Sequence, residues 1–346
     1  MKKWLKITII SVSSVLALVL ALVGTFIVLN RIGESQFHKN DINITNSNIT
    51  EEDDKIIYKG SKYQLNPDVV SFLLIGVDKD NLNANSGIGM NGQADTLLVG
   101  VVDTKAKSMS VIPISRETLV DVDQYSTSGE YVGVSKKQIC LAYDYGKDIK
   151  QSSENVLLSV SRALYGINIS SYITMDLAAL EKLSNSVGWI EVLVNENYYD
   201  SSSGIKYTAG KTIKVKGRSA VNYIHWRTDD VDANNYRMER QKSFVTAFMN
   251  KAGNQISEDF SKIITYYNLM QPYVSTNITL SQITYLANNC LRMNLGDAIE
   301  FKSIPGETFM RDGYSAFTPD DEALTEIIIE TFYKKVPEKA KATSSS

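Results

Sequence analysis

Three polar side chains stand at the ends of apolar, strand-like segments, where they could form a site for an anion and a cation. Asp78 follows a first apolar run, Asp95 directly precedes a second, and Arg116 follows a third. If the second strand runs antiparallel to the other two, all three side chains meet at one edge of a sheet. Two carboxylates beside an arginine suit a Mg²⁺–phosphate site, because Mg²⁺ takes oxygen ligands and a guanidinium donates paired hydrogen bonds to phosphate. Such residues also serve as caps and ion-paired turn residues, and the pattern leaves both interpretations open.

A second group of polar residues lies at the start of a predicted helix. Arg237, Arg240 and Gln241 are spaced i, i+3 and i+4, which places them on one helical face. Free N–H groups and the macrodipole at a helix start also favour an anion. Arg227 lies upstream, after a short predicted helix that begins near Arg218. A phosphate clamp and a solvated face with acidic partners remain equally open.

The composition excludes several common function classes. The chain has 346 residues, a formal net charge of −3, two cysteines and two histidines. A slightly acidic chain is not typical of nucleic-acid binding. Cys140 and Cys290 are too far apart for a CxxC motif, and a buried free thiol is favoured for Cys140. With only His38 and His225 available, Ser-His-Asp and Cys-His chemistry is nearly excluded.

An uncharged apolar segment covers residues 7–29 and is long enough for a single transmembrane helix. Lys2, Lys3 and Lys6 precede it, so the positive-inside rule places residues 1–6 in the cytoplasm and the rest of the chain outside. A cleaved signal peptide is the alternative, but its apolar region is normally shorter. We therefore expect a single-pass protein of the cell membrane with an extracytoplasmic domain.

The remainder of the chain divides by composition. Residues 30–68 are polar and predict a linker, residues 69–338 predict one catalytic domain, and residues 339–346 predict a disordered tail. Within the domain, strand-like and helix-like periodicities alternate, which indicates an α/β layered fold. The predicted strands are 69–76, 96–102, 108–114, 189–194 and 299–304, and the predicted helices are 151–165, 176–187, 237–252, 257–269, 279–291 and 320–335.

Seven segments in a fixed order resemble the LytR-CpsA-Psr family of cell-envelope glycopolymer ligases. The resemblance covers about residues 70–252, and the predicted N-terminal anchor also fits. The segments are Gly76–Asp78, Ala94–Thr96, Ile114–Thr118, Gln138–Gly146, Gly188–Val192, Ala209–Tyr223 and Arg237–Gln241.

The resemblance implies a fold, a reaction and partners. The expected fold is a three-layer α/β/α sandwich with a central mixed sheet and a long apolar tunnel. The expected reaction moves a glycopolymer, such as teichoic acid or capsule, from a polyprenyl-pyrophosphate carrier to peptidoglycan as a phosphodiester. The expected partners are that lipid-linked glycopolymer, peptidoglycan and the membrane, with no nucleic acid.

The resemblance also implies roles for individual residues. Asp78 and Asp95 would hold Mg²⁺ or position the acceptor hydroxyl, and Mn²⁺ would meet the same oxygen ligands. The expected pyrophosphate-binding residues are Arg116, Arg227, Arg237, Arg240 and Gln241. Because phosphoryl transfer depends mainly on positioning and charge stabilisation, Arg116 and Arg237 are catalytic candidates and Asp95 is the candidate general base.

A polyprenyl chain would need apolar side chains around it. The candidates for this lipid site, each of which could instead be an ordinary core residue, are Val156, Val160, Leu164, Leu177, Leu180, Phe244 and Phe248.

The sequence departs from the family pattern at His225, where an arginine is usual, and at Glu117, where an aspartate is usual. Two other functions therefore remain alternatives. One is a pyrophosphohydrolase that uses water as the acceptor of the same substrate. The other is a non-catalytic envelope protein with a binding or regulatory role.

Overall fold

The computed structural model describes residues 25, 27–36, 50–52, 55–79, 81–82, 87–201, 203–226, 233–291, 293 and 299–337. Of the predicted anchor, residues 7–29, only residues 25 and 27–29 are among these, and they are helical. Within the ranges just given, no helix combines the length and the apolar character that a membrane crossing requires. The predicted tail, residues 339–346, lies outside the described residues.

Eighteen strands and seven α-helices are assigned within the described ranges, apart from the helical residues 27–36. The strands are β1 (Thr50–Glu52), β2 (Lys55–Tyr58), β3 (Ser61–Leu65), β4 (Val69–Val77), β5 (Ala94–Asp103), β6 (Ser108–Ile114), β7 (Leu119–Tyr125), β8 (Tyr131–Gln138), β9 (Ser171–Met175), β10 (Ile190–Leu193), β11 (Tyr198–Asp200), β12 (Ile205–Tyr207), β13 (Thr212–Val215), β14 (Val274–Thr276), β15 (Ile299–Phe301), β16 (Gly306–Arg311), β17 (Tyr314–Pro319) and β18 (Tyr333–Lys335). The helices are α1 (Ile149–Ala163), α2 (Leu177–Val187), α3 (Arg218–His225), α4 (Ala233–Glu258), α5 (Lys262–Met270), α6 (Leu280–Cys290) and α7 (Asp321–Phe332).

The central sheet has six strands in the order β14-β9-β4-β5-β6-β15. β4, β5 and β6 form an antiparallel meander, whereas β9 runs parallel to β4 and β15 runs parallel to β6. The predicted mixed sheet is therefore confirmed. β4 and β5 are almost continuously apolar because both faces of the sheet are covered.

Helices cover both faces of this sheet. On one face, α1 and α7 pack with the residues of β4 that include Leu73 and Ile75. On the other face, α4 and α6 pack around the intervening residues Phe72 and Leu74. Successive strand residues point to opposite faces, so these two clusters follow directly from the pleat.

Several elements are not evident in the sequence pattern. β9 is a short mixed segment, Ser171–Met175, that lies between β14 and β4 in the sheet. In the β7–β8 hairpin, only β7 contributes buried apolar residues, Val120 and Val122, and β8 has none. The helix predicted to start at Arg237 begins at Ala233 instead. The helix predicted over 176–187 is confirmed as α2, and Asp176 caps it, because its carboxylate accepts a hydrogen bond from the Ala179 N–H.

Candidate active site

The three strand-end residues meet at one edge of the central sheet, as the sequence pattern predicts. Asp78 follows β4, Asp95 is the second residue of β5, and Arg116 lies two residues beyond β6. Because the three strands alternate in direction, these ends coincide. The Arg116 guanidinium forms an ion pair with the Asp95 carboxylate, and their side chains are only 16% and 9% exposed.

Asp95 is aimed at the site by a β-bulge. Ala94 pairs with Val77 and Thr96 pairs with Gly76, so Asp95 is an extra residue on its strand. A bulge turns the side chain of the extra residue away from the regular alternation. As a result, Asp95 and its neighbour Thr96 both line the same cavity.

Two residues without a predicted role hold Arg116 in place. Its Nη2 donates to the Gln93 side-chain carbonyl and lies 3.7 Å from Sγ of Cys140. Burial raises the pKa of the Cys140 thiol, so the thiol stays protonated at neutral pH. Gln93 stands two residues before Asp95, which is the only signal that the sequence offers for it.

Asp78, Asp95 and His225 form a group whose ligand atoms all lie within 4.8 Å of one another. Nε2 of His225 is 3.3 Å from Oδ1 of Asp78. His225 is the last residue of α3, the short helix predicted from Arg218. Carboxylates and an imidazole together fit a divalent cation.

Helix α4 contributes Arg237 and Gln241, which are one turn apart and line the same cavity. Arg237 is 3% exposed, and the Gln241 side chain donates a 2.9 Å hydrogen bond to the Thr96 hydroxyl. Since α4 begins at Ala233, Arg237 lies in its second turn.

Arg240 does not line the cavity and is committed to a buried ion pair with Glu196. Its Nε donates a 2.8 Å hydrogen bond to the Tyr223 carbonyl, and its Nη2 donates to the Trp226 carbonyl. Burial lowers the pKa of Arg240 to about 10, so the guanidinium remains charged at neutral pH. Arg240 therefore faces the end of α3 and not the cavity, which disagrees with the expected contact of Arg240 with pyrophosphate. Its three-residue spacing from Arg237 is enough to place it on this other side of α4. Arg227 lies outside the described residues, and its role stays a prediction.

A cavity of about 470 Å³ extends from this polar group along the sheet. Its polar end is lined by Asp78, Asp95, His225, Arg237 and Gln241, and almost all its other lining is apolar. At the far end lies Met109, which pairs with Val102 of β5. Val102 is seven residue steps along β5 from Asp95, which corresponds to about 23 Å.

The predicted lipid-site residues divide between the two faces of the sheet. Those on α2 and α4 line the cavity, namely Leu177, Leu180, Phe244 and Phe248. Those in or just after α1 do not: Val156, Val160 and Leu164 are fully buried in the core cluster on the opposite face. Apolar periodicity shows that a helix is amphipathic but not which face of the sheet it covers, which explains this error.

The cavity floor depends on Gly100, which sequence reasoning did not single out. The ring of Phe72 lies over it, and a Cβ at position 100 would be 2.5 Å from Cζ of that ring. Both residues line the cavity. An alanine at position 100 would push the Phe72 ring into the open volume.

Comparison with known proteins identifies the class. The LytR_cpsA_psr family model matches residues 35–332, and the chain belongs to this family. The polyisoprenyl-teichoic acid–peptidoglycan teichoic acid transferase TagU of Enterococcus faecalis is 26% identical over 265 residues, which cover 76% of this chain and 78% of that protein. The fold is similar to the crystal structure of Bacillus subtilis TagV, with a TM-score of 0.61, 24% identity and coverage of 76% and 95% of the two chains. It is also similar to TagT bound to LI-WTA, with a TM-score of 0.57, 19% identity and coverage of 76% and 89%.

The position of Arg240 predicts a structural rather than a ligand-binding effect. We expect Arg240→Ala to lower the free energy of unfolding by about 3–5 kcal/mol, because Glu196 and two carbonyls lose their partner. Urea denaturation followed by circular dichroism measures this. Arg311→Ala, on an exposed hairpin, is the matched control and should change stability by less than about 0.5 kcal/mol. Equal stability of the two variants would contradict the assignment.

Proposed function

We propose that this chain transfers a glycopolymer from a polyprenyl-pyrophosphate carrier to a hydroxyl group of peptidoglycan. The observation that carries the proposal is the continuity of the apolar cavity with a group of arginines and carboxylates at one end. A substrate with a long apolar tail and an anionic head group matches a cavity that is apolar along most of its length and charged at one end. The name of the Enterococcus faecalis relative, a teichoic acid transferase, supports the same substrate class.

The arginines would bind the pyrophosphate and stabilise its developing charge. Arg237 lines the polar end of the cavity, and Arg116, paired with Asp95, lies in a small adjoining pocket that Arg237 also lines. Both side chains are largely buried, so their charges are poorly screened by water. Gln241 would support them through its bond to Thr96. Asp78 and Asp95 would hold Mg²⁺, which supplies further neutralisation of the phosphate oxygens.

The reaction is a displacement at phosphorus. The acceptor oxygen bonds to the phosphorus that carries the glycopolymer, and the bond from this phosphorus to polyprenyl phosphate breaks. The hydroxyl proton passes to the carboxylate of Asp95, and polyprenyl phosphate leaves with its charge held by arginine. With water as the acceptor, the same steps would release a phosphorylated glycopolymer.

The N-terminal helical residues, 27–36, indicate how the domain would sit on a membrane. Asn30 accepts a 3.1 Å hydrogen bond from Asn288, and Gln36 accepts a 2.7 Å bond from Thr279. Gly33 lies so close to α6 that a Cβ would be 2.2 Å from the Ser281 carbonyl oxygen. The segment that continues the predicted anchor is therefore packed along α6.

Helix α6 lies at the end of the sheet opposite the polar group. Its Tyr285 packs in the cluster that contains Val102, near the end of β5, and Met109, at the start of β6. Cys290, at the end of α6, lines the cavity and packs in the cluster that contains Met109. We therefore place the apolar end of the cavity next to the bilayer and the polar end about 23 Å above it.

Loss of either Arg116 or Arg237 should slow transfer strongly. We expect Arg116→Ala and Arg237→Ala to lower the rate roughly 10²–10³-fold, because each removes a charged donor that acts on the transition state. The assay uses synthetic polyprenyl-pyrophosphate saccharide and a peptidoglycan oligomer, and mass spectrometry detects the phosphodiester. Arg311→Ala is the control. Full activity of both the Arg116 and the Arg237 variant would refute the proposal, and a released phosphosaccharide without linkage would identify a hydrolase.

Filling the cavity should displace the lipid. Ala287 lines the cavity from α6, and Ala163 is half-buried at the end of α1 on the other face of the sheet. We expect Ala287→Phe to weaken binding of polyprenyl phosphate by more than roughly tenfold, because the ring takes up volume that the chain needs. Ala163→Phe is the matched control and should bind normally. Isothermal titration calorimetry measures both, and equal affinities would contradict a lipid-binding cavity.

The orientation on the membrane can be measured with surface probes. Ala106 is exposed in the β5–β6 turn at the apolar end, and Met90 is exposed in the loop before Asp95. We expect a nitrobenzoxadiazole probe on Ala106→Cys in nanodiscs to be quenched by spin-labelled lipids far more than one on Met90→Cys. Burial keeps Cys140 protonated and raises the pKa of Cys290 to about 11, so neither competes for the label. The reverse order of quenching would overturn the orientation.

A further inference from the structure

The histidine at the polar end of the cavity has an unsatisfied nitrogen. The His225 side chain is 41% exposed, but its Nε2 atom is buried, lies 3.3 Å from Oδ1 of Asp78 and forms no well-aligned hydrogen bond among the described residues. Buried polar atoms in proteins nearly always have a well-aligned partner, and a cation between the imidazole and the carboxylates would supply one. An imidazole nitrogen that faces two carboxylates suits a metal ion.

The spacing of the three side chains agrees with metal coordination. Neighbouring ligand atoms on a six-coordinate cation with bonds of about 2.1 Å lie about 3 Å apart. The His225–Asp78 separation is already close to that distance, and the whole group with Asp95 falls within 4.8 Å. Asp95 has two carboxylate oxygens, so it can contact a cation while it remains paired with Arg116.

Hydrogen bonds to the backbone before and after His225 hold this residue in place. Arg240 donates to the carbonyls of Tyr223 and Trp226, the residues two before and one after the histidine. The Trp226 N–H donates to the Asn222 carbonyl and closes the last turn of α3. The buried Arg240–Glu196 pair thus makes Arg240 a positioning residue for the imidazole.

We infer that His225 is the third protein ligand of the cation site and shifts its preference from Mg²⁺ towards Mn²⁺. This rests on the proposed function only for the presence of a cation beside the two carboxylates. Mg²⁺ is a hard cation that selects oxygen, whereas imidazole nitrogen binds Mn²⁺ and later transition metals more readily. A site with two carboxylates and one imidazole therefore discriminates between the two ions.

Metal binding by the purified full chain tests this without any measurement of transfer. We expect one Mn²⁺ per chain by electron paramagnetic resonance, with ¹⁴N modulation in the spin-echo spectrum. His225→Gln should remove that modulation and weaken Mn²⁺ binding by roughly tenfold or more. The affinity for Mg²⁺, measured by competition with Mn²⁺, should change by less than about threefold. Asp78→Asn should weaken both ions. His38→Gln, which alters the other histidine of the sequence, is the matched control and should change neither affinity.

The outcomes separate the two proposals. An unchanged ratio of Mn²⁺ to Mg²⁺ affinity in His225→Gln, or a ¹⁴N signal that persists in it, would overturn the assignment of His225. Circular dichroism of the metal-free His225→Gln variant establishes that this variant is folded. Arg240→Lys, which alters the residue that positions His225, should lower the affinity for Mn²⁺ more than the affinity for Mg²⁺. Selective Mn²⁺ binding in a chain that transfers no glycopolymer would uphold the ligand and refute the transferase.

Discussion

The buried ion pair between Asp95 and Arg116 is the constraint around which the site is organised. Each charge would be costly alone at its depth, so each requires the other. The pair joins the start of β5 to the loop after β6, and the bulge in β5 gives Asp95 an orientation that a regular strand would deny it. The meander β4-β5-β6 brings Asp78 to the same edge. The ion pair, the bulge at Asp95 and the alternating strand directions therefore act together to bring the three side chains to one edge of the sheet.

The two faces of the central sheet are packed differently. One face is filled by α1 and α7 and gives the domain its solid core. The other is only partly filled by α2, α4, α5 and α6, which leaves the cavity between them. Gly100 and Phe72 show how the sheet itself makes room, since the distal end of the Phe72 ring occupies the space that a side chain at position 100 would need. A chain of this size can leave one face incompletely packed because the opposite core is extensive.

Much of the fold and part of the site could be predicted from the sequence. Continuous apolar runs located β4, β5 and β6, and the polar residues at their ends located Asp78, Asp95 and Arg116. Helical spacing correctly grouped Arg237 with Gln241. It failed for Arg240, because three-residue spacing spans enough angle to turn a side chain into a different interface. It failed for Val156, Val160 and Leu164, because amphipathicity does not identify the packing partner. Gln93 and the bulge at Asp95 depend on tertiary pairing, which leaves no periodic signal.

The central claim is that one apolar cavity holds a polyprenyl chain while the arginines at its polar end hold the phosphate. An experimental structure of the chain with bound polyprenyl phosphate tests this most directly. It should show the phosphate within hydrogen-bond distance of Arg116 and Arg237, with Arg240 still paired to Glu196 and the chain running towards α6. A lipid bound elsewhere, or a phosphate that contacts neither Arg116 nor Arg237, would contradict the claim.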